Sequence, residues 1–300
     1  MSLEGKATAS SNQNVTTAAK HIDEVWVDGV IRALEFDLKI APFVDRTWDF
    51  VGHGDVYHKV RTPNIETQTK SAGSALTPYA YTDTEQTITV NVNTACAIRH
   101  ENIAEVLSKN DVKAIMTKNM GYALGRSVDV LLAALAASFS QTVGTLGVEL
   151  TYDNLLRAVQ YLEDAGYDMS SDVAWFISPA QKAGFMKMDT FINKDYRGDA
   201  NMLKASERGT IGQFQGAPIM VSQIVTSPAA GQHDNFLLHK ESVALIMAQE
   251  PRTYLETVAL ETADVVVSAQ IFGYSEIDRY SEAAGNITAT DEGAVWLKGV

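Results

Sequence analysis

The stretch EQTITVNVN, residues 85–93, alternates apolar and polar side chains over most of its length. Ile88, Val90 and Val92 fall on one face, and threonines and asparagines fill the other. This period of two predicts a half-buried β-strand. The stretch GDVYHKV, residues 54–60, shows the same alternation less regularly. Together the two stretches predict the outgoing and return strands of an antiparallel ribbon over residues 54–93.

The connection between the two strands is long and polar. It holds about two dozen residues rich in Thr, Ser, Asn, Gly and Pro, among them Pro63, Gly73 and Pro78. Connections inside compact domains have a median of roughly 4–6 residues, and longer ones are usually functional or disordered. The length therefore predicts an arm that reaches outward to another molecule. Gly52 and Gly54 flank it, and their backbone freedom suggests a hinge there.

A long helix is predicted after the ribbon, over residues 101–139. Apolar residues recur at helical spacing from Val112 to Phe139, about eight turns, which at 1.5 Å per residue is roughly 40 Å. Its second half is apolar nearly all round. It is too short for a membrane span of about 20 residues, and Asp129 interrupts it. The pattern therefore favours a buried core helix; its apolar positions are Val112, Met116, Met120, Leu124, Val128, Leu131, Leu132, Leu135 and Phe139.

Composition limits the classes of function. The chain has 300 residues, 46% of them hydrophobic, a formal charge of −13 and a pI near 4.9. That charge argues against a protein that coats nucleic acid through Lys and Arg. Cys96 is the single cysteine, so no intrachain disulfide forms and a reducing compartment is expected. Residues 1–20 are small and polar and lack the apolar stretch of a signal peptide.

Residues 151–260 read as an α+β subdomain of short alternating elements. Thr151 is expected to cap a helix that Gly166 ends, and Ser178 to cap a second helix after a strand at 173–177. Further strands are predicted at 218–225, 235–239, 242–247 and 263–271. Nearer the amino terminus, a helix with Trp26 on its apolar face is expected to stop at Pro42.

No catalytic, cofactor-binding or metal site is predicted. The run GTIGQFQG, residues 209–216, lacks the spacing of a dinucleotide turn or a phosphate-binding loop. Gly209, Gly212 and Gly216 are instead expected to form tight turns before a strand. The histidines have no carboxylate or thiolate at ligand spacing, and Cys96 has no activating neighbour in the sequence.

The order of these elements resembles the HK97-like major capsid (coat) protein of tailed bacteriophages. The resemblance covers nearly the whole chain: a polar arm, a helix, an extended loop, a long spine helix, an α/β subdomain and closing strands. Short stretches carry it further. These are Gly209–Gly212, His239-Lys240, Phe272-Gly273 and RYSEAAG at residues 279–285.

The resemblance implies an α+β capsid fold with a defined division of the chain. An amino-terminal arm at 1–20 precedes an extended E-loop β-hairpin at 51–88 and an axial domain at 151–262. The peripheral domain, which contains the spine helix, takes residues 21–50, 89–150 and 263–300.

Four E-loop residues are candidates for contact with a neighbouring subunit. Lys59, Arg61 and Lys70 put positive charge on a projecting loop of an acidic chain, which suits pairing with acidic patches. Pro78 lies at the end of the same loop.

The implied function is assembly into hexamers and pentamers of an icosahedral head that encloses double-stranded DNA without sequence-specific binding. The first core helix starts near His21, so a separate scaffolding protein is expected. A portal protein is a further expected partner, a decoration protein is compatible, and no membrane is involved. Assembly is expected in the host bacterial cytoplasm, with the virion as destination. Two alternatives stay open: an encapsulin-like nanocompartment shell and a soluble enzyme with an unusual hairpin.

Overall fold

The computed structural model describes residues 38–47, 54–61, 67–78, 84–101, 112–169, 172–188, 212–225, 232–277, 279–283, 286–290 and 293–299. The helices are α1 (Val112–Ala134), α2 (Tyr152–Asp164) and α3 (Pro179–Phe185). The strands are β1 (Val56–Arg61), β2 (Thr84–Thr89), β3 (Val92–Glu101), β4 (Gln141–Gly144), β5 (Val173–Ile177), β6 (Gln213–Phe214), β7 (Ala217–Val221), β8 (His233–His239), β9 (Val243–Val258), β10 (Ala263–Glu276), β11 (Arg279–Ala283), β12 (Asn286–Thr290) and β13 (Ala294–Gly299). The predicted helix bearing Trp26 and the predicted arm at 1–20 lie outside the described residues.

A six-stranded mixed sheet in the order β4-β13-β8-β5-β7-β6 forms the centre of the α/β part. All five residues of β5, VAWFI, are buried because both faces of the sheet are covered. Leu162 of α2 and Phe185 of α3 pack on one face. Phe139 and Val225 pack on the other. A strand buried on both faces reads as a continuous apolar run, as β5 does.

A second sheet, in the order β3-β10-β9, carries the long helix on one face. Gln270 of β10 donates from Nε2 to the carbonyl oxygen of Leu124 in α1 at 2.9 Å and to Thr94 Oγ1 of β3 at 3.0 Å. Leu124 and Val128 of the helix are buried. Met120 and Leu132 of the predicted stripe are buried as well, whereas Met116 is 41% exposed, so the stripe is buried from Met120 onward and this part of α1 belongs to the core.

Residues Ala114–Ser138 form one helical stretch that is long and apolar enough to cross a membrane by length and composition alone. Its centre carries Asp129, which is fully buried. The Asp129 carboxylate accepts backbone N–H bonds from Lys39 at 2.9 Å, Ile40 at 3.3 Å and Ala41 at 2.8 Å. Because the buried Asp129 carboxylate bonds to the backbone of residues 39–41, the apolar character of this helix is explained by its packing in the protein core.

Both predicted helix caps in the α/β part are confirmed. Thr151 accepts the Asn154 backbone N–H at its side chain, and Gly166 follows α2 with φ +81°, the left-handed conformation that ends helices. Ser178 Oγ accepts the N–H of Gln181, with Pro179 at the first turn of α3.

At the turn predicted before β7, Gly212 and Gly216 have left-handed backbone conformations. Gln215 and Gly216 have φ values of 51° and 86°, and Phe214 pairs with Ala217 across them. Two central residues with positive φ make a tight hairpin turn between β6 and β7. Gly212 has φ +81°, whereas Gly209 lies outside the described residues.

Several predicted element boundaries are wrong. The return strand at 85–93 is two strands, because β2 ends at Thr89 and β3 joins a different sheet from Val92. The long helix does not start at 101, since β3 runs to Glu101; the described part of the helix begins at Val112 and ends in a 3₁₀ turn at Leu135–Ser138. The strands predicted at 242–247 and 263–271 extend to Val258 and Glu276.

The sheets also cross the expected division at 151 and 262. Strand β13, from the closing segment, pairs between β4 and β8 inside the six-stranded sheet. Strand β9, which precedes residue 262, pairs with β10 in the other sheet. Each sheet is therefore assembled from distant parts of the chain.

Candidate assembly surface

Strands β1 and β2 form a two-stranded antiparallel hairpin, here called the β1–β2 hairpin. The register pairs Val56 with Thr89, Lys59 with Gln86 and Arg61 with Thr84. This pairing confirms the predicted antiparallel association of the two alternating stretches. Of the connection between the strands, the structure describes residues 67–78.

One face of the β1–β2 hairpin exposes apolar side chains. Val56 and Val60 are 37% and 65% exposed and lie two positions to either side of His58. His58 Nδ1 lies 3.2 Å from Glu85 Oε2 on the facing strand. In the connection, Leu76 is 55% exposed. Single exposed apolar residues are common, so the role of Val56 and Val60 in contact with another protein stays a prediction.

The opposite face of the hairpin packs against its own subunit. Ile88 is 0% exposed and forms a small core with Ala244, Ile246 and Ile277. Gln86 is also buried and donates from Nε2 to the carbonyl oxygen of Glu276 at 3.3 Å. The hairpin therefore has one anchored face and one exposed face.

The distal loop, residues 67–78, is exposed at every position except half-buried Gln68. Its defined hydrogen bonds join its own residues: Gln68 Nε2 donates to the Thr77 carbonyl at 2.8 Å, and Ser74 Oγ donates to the Ser71 carbonyl at 2.9 Å. Gly73 has φ +85°, so the chain turns there through a left-handed conformation. The loop is locally ordered by itself.

The predicted contact residues occupy different parts of the hairpin. Lys59 is exposed within β1, whereas Lys70 and Pro78 are exposed in the distal loop. Arg61 is the last residue of β1, and its side chain lies outside what the structure describes. Lys59 and Lys70 are thus separated along the hairpin, and their role in intersubunit contact stays a prediction.

The predicted hinge stays untested. Gly52 lies outside the described residues. Gly54 is exposed, its φ is outside the left-handed region, and a Cβ added there would meet nothing within 4 Å. The structure at Gly54 therefore has no local requirement for glycine.

Two adjoining clefts have volumes of about 470 and 260 Å³, and the smaller one is lined in part by Lys59 of the β1–β2 hairpin. They share Asp172, Glu241 and Ile277, and together they are called the acidic cleft. Sequence reasoning missed this feature because its residues come from separate segments. The other charged and polar lining residues are Asp45, Thr47, Lys59, Tyr167, Asp168, His239 and Lys240.

Neither the histidines nor the cysteine form a reactive centre in the described part of the chain. No group of three or more His, Cys, Asp and Glu side chains there could hold a metal ion. His239 Nδ1 accepts the Glu241 N–H at 3.2 Å, and His233 Nδ1 lies 3.1 Å from the Val225 carbonyl, so each serves local structure. Burial raises the pKa of the Cys96 thiol, which favours the unreactive protonated form.

Asp234 is a buried carboxylate on β8. Burial raises its pKa, while a hydrogen bond from Trp296 Nε1 at 3.1 Å and the nearby charges of His233 and Lys298 lower it less. Lys298 Nζ lies 4.2 Å from the centre of the Trp296 ring. The charged form of Asp234 therefore lowers the stability of the folded protein.

We expect Asp234→Asn to make the unassembled protein slightly more stable at pH 7. The amide keeps an oxygen for Trp296 and carries no charge to desolvate; solvent screening keeps the gain below about 1 kcal/mol. Because the folded pKa is raised, the cost of the charge is present above it and disappears as the pH falls through it towards about 4. Urea unfolding midpoints of the two proteins should converge over that range. The stability difference between variant and parent is thus expected to favour the variant more at pH 7 than at pH 4. The opposite pH dependence would contradict this role of Asp234.

No family model matches the sequence, and no curated protein matches it. Several solved structures are similar to this chain. One of Mycobacterium phage Che8 has a TM-score of 0.75 and 17% identity, covering 92% of this chain and 96% of that one. The capsid structure of the cyanophage P-SCSP1u has a TM-score of 0.73 and 16% identity, covering 96% and 95%. The capsid of a native GTA particle has a TM-score of 0.65 and 11% identity, covering 96% and 99%. The chain therefore has the HK97-like capsid fold.

Proposed function

We propose that the chain is a major capsid protein that assembles into the hexamers and pentamers of an icosahedral phage head. The observation that carries this proposal is the likeness to capsid structures over more than nine-tenths of both chains. The β1–β2 hairpin adds to it, because its distal loop contacts itself and leaves apolar and basic side chains exposed.

The proposal includes partners that follow from the role of a head protein. A separate scaffolding protein directs assembly, a portal protein occupies one vertex, and the closed shell encloses double-stranded DNA. A decoration protein is compatible with the same surface. Assembly takes place in the cytoplasm of the bacterial host, and the virion is the final location. The role is structural, so turnover of a substrate is not part of it.

Electron micrographs of purified particles test this function and separate it from the encapsulin-like alternative. A phage head contains DNA and carries a tail vertex. A nanocompartment contains an enzyme cargo and has no such vertex. A small discrete species with catalytic turnover would instead support the enzyme with an unusual hairpin and overturn both shell proposals.

We expect charge reversal at Lys59, Arg61 and Lys70 to raise the critical assembly concentration at least about fivefold, which corresponds to about 1 kcal/mol. The reason is lost attraction to acidic patches on the adjacent subunit. The shift should shrink at high salt, since exposed charges are screened. Light scattering over a concentration series measures it.

The double variant Arg61→Glu and Lys70→Glu is the matched control, because it leaves Lys59, which lines the acidic cleft of its own subunit, unchanged. A shift in the triple variant that the double variant does not reproduce would assign the effect to Lys59 alone. No shift for the triple variant in low salt would count against intersubunit pairing.

We expect unassembled subunits to bind duplex DNA weakly at physiological salt. The formal charge of −13 gives a mean field that repels phosphate, and residues 1–20 offer only Lys6 and Lys20 against Glu4. Non-specific affinity comes chiefly from neutralised phosphates and released counterions. Filter binding at several salt concentrations measures this affinity. Micromolar affinity with a steep salt slope would contradict the expectation of weak DNA binding.

A further inference from the structure

A small cavity lies between strand β3 and the beginning of helix α1. Its volume is about 10 Å³, which leaves room for one sphere the size of a water molecule. Six residues of β3, β10 and α1 line it: Ile98, His100, Val266, Met116, Thr117 and Met120. Three of the six, the histidine and the two methionines, carry a nitrogen or sulfur atom that can bind a metal ion.

The imidazole of His100 lacks a partner at one nitrogen. Its Nε2 atom is buried and has no hydrogen-bond partner in the described part of the chain. A buried polar atom without a partner destabilises a fold. With the ring proton on Nδ1, Nε2 presents a lone pair. Because His100 lines the cavity, a cation held there can supply the missing partner.

The two methionines place thioether sulfur on the opposite wall. Met116 and Met120 are four positions apart, so both side chains lie on one face of α1. Met120 is 3% exposed and Met116 is 41% exposed, so the outer methionine leaves an entry path from solvent. Methionine has three rotatable bonds, and its sulfur can therefore turn towards a bound ion without a shift of the backbone.

The donor set selects the class of ligand. Thioether sulfur and imidazole nitrogen are soft donors that suit Cu(I). Mg²⁺ and Ca²⁺ prefer carboxylate oxygens, and none of the lining side chains is a carboxylate. A buried water typically makes about three hydrogen bonds, whereas the only polar side chains of the lining are His100 and Thr117. The cavity therefore suits a soft cation better than a hard cation or a water.

We infer that His100, Met116 and Met120 form a binding site for one Cu(I) ion, which joins β3 to α1. The site lies within one subunit, so the inference does not rest on the proposed function and can be tested on unassembled protein. Cys96, which is on β3 as well, has its Sγ 3.7 Å from the Met120 carbonyl oxygen but does not line the cavity.

Titration with Ag(I), an air-stable probe for Cu(I) sites, tests the inference. The full chain is used with Cys96→Ser in chloride-free buffer, because the single thiol would bind Ag(I) by itself. We expect one ion per chain with a dissociation constant of about 10 μM or less. With ¹³C-methyl methionine, the signals of two of the nine methionines should shift. No saturable binding, or shifts at other methionines, would overturn the inference.

Variants in the same background identify the ligands. Met116→Leu combined with Met120→Leu should weaken Ag(I) binding at least about 30-fold, because leucine keeps the volume and removes the sulfur. His100→Gln should weaken it similarly. Met186→Leu is the control, since Met186 follows α3, and it should leave the affinity unchanged. Full affinity in the double methionine variant would overturn the inference, and that variant decides if His100→Gln does not fold.

Discussion

Replacing residues 63–78 with a short turn should leave a folded subunit that no longer forms particles. The distal loop is exposed, and its defined hydrogen bonds join residues of the loop to one another, so its removal costs the core little. Shortening a loop also lowers the entropy of closing it, by about 0.6 kcal/mol per halving of length. The free energy of unfolding should therefore change by less than about 1 kcal/mol, whereas particle yield should fall below detection.

Particle yield by sedimentation and stability by urea unfolding measure the two effects separately. A variant with the same segment replaced by an equal length of Gly and Ser is the matched control, since it keeps the reach of the loop and removes its side chains. If that control assembles, length alone matters; if it fails, the side chains make the contact. An unchanged particle yield for the shortened chain would show that the loop has no role in assembly.

Asp129→Asn should destabilise the subunit by about 1–3 kcal/mol. The carboxylate accepts three backbone N–H groups, from Lys39, Ile40 and Ala41, and is fully buried. An amide of the same shape offers one oxygen, and its NH₂ group would face a backbone donor. At least one buried N–H would then lose its acceptor, and the remaining bonds would lose their charge assistance.

Urea unfolding of the unassembled protein measures this loss. Asp164→Asn is the control, because Asp164 is exposed on α2 and such changes are usually within about 0.5 kcal/mol. Equal stability of the two variants would show that Asp129 does not hold residues 39–41 to the long helix.

The sequence predicts local elements well where local chemistry decides them. The caps at Thr151 and Ser178 and the turn at Gly216 depend on residues within a few positions of each other. The alternation at Ile88 likewise requires only the pleat of a strand. These features survive in the structure because tertiary contacts reinforce them.

Local sequence patterns do not predict which strands pair with each other. Alternation continues through Val90 and Asn91, so nothing in the sequence marks the change from pairing with β1 to pairing with β10. Strand β9 passes Pro251, which normally argues against a strand. It continues because the pairing with β10 shifts register between Ala269 and Ile271, where a bulge tolerates the missing N–H.

Long-range contacts of single side chains cannot be predicted from local sequence patterns either. Asp129 stands out as a charge inside an apolar helix, but its partners lie some 90 residues earlier. The acidic cleft combines Asp45, Asp172 and Glu241 from separate segments. The anchored face of the hairpin depends on Ile277, almost 200 residues after Ile88. Each of these requires the folded topology.

Sedimentation velocity of the intact protein, produced together with its scaffolding protein, tests the central claim that the chain builds a closed shell. We expect a discrete species of megadalton mass, made of many copies of the 32.6 kDa chain, that appears hollow and closed by negative stain. A species that stays a monomer or small oligomer under every assembly condition would contradict it.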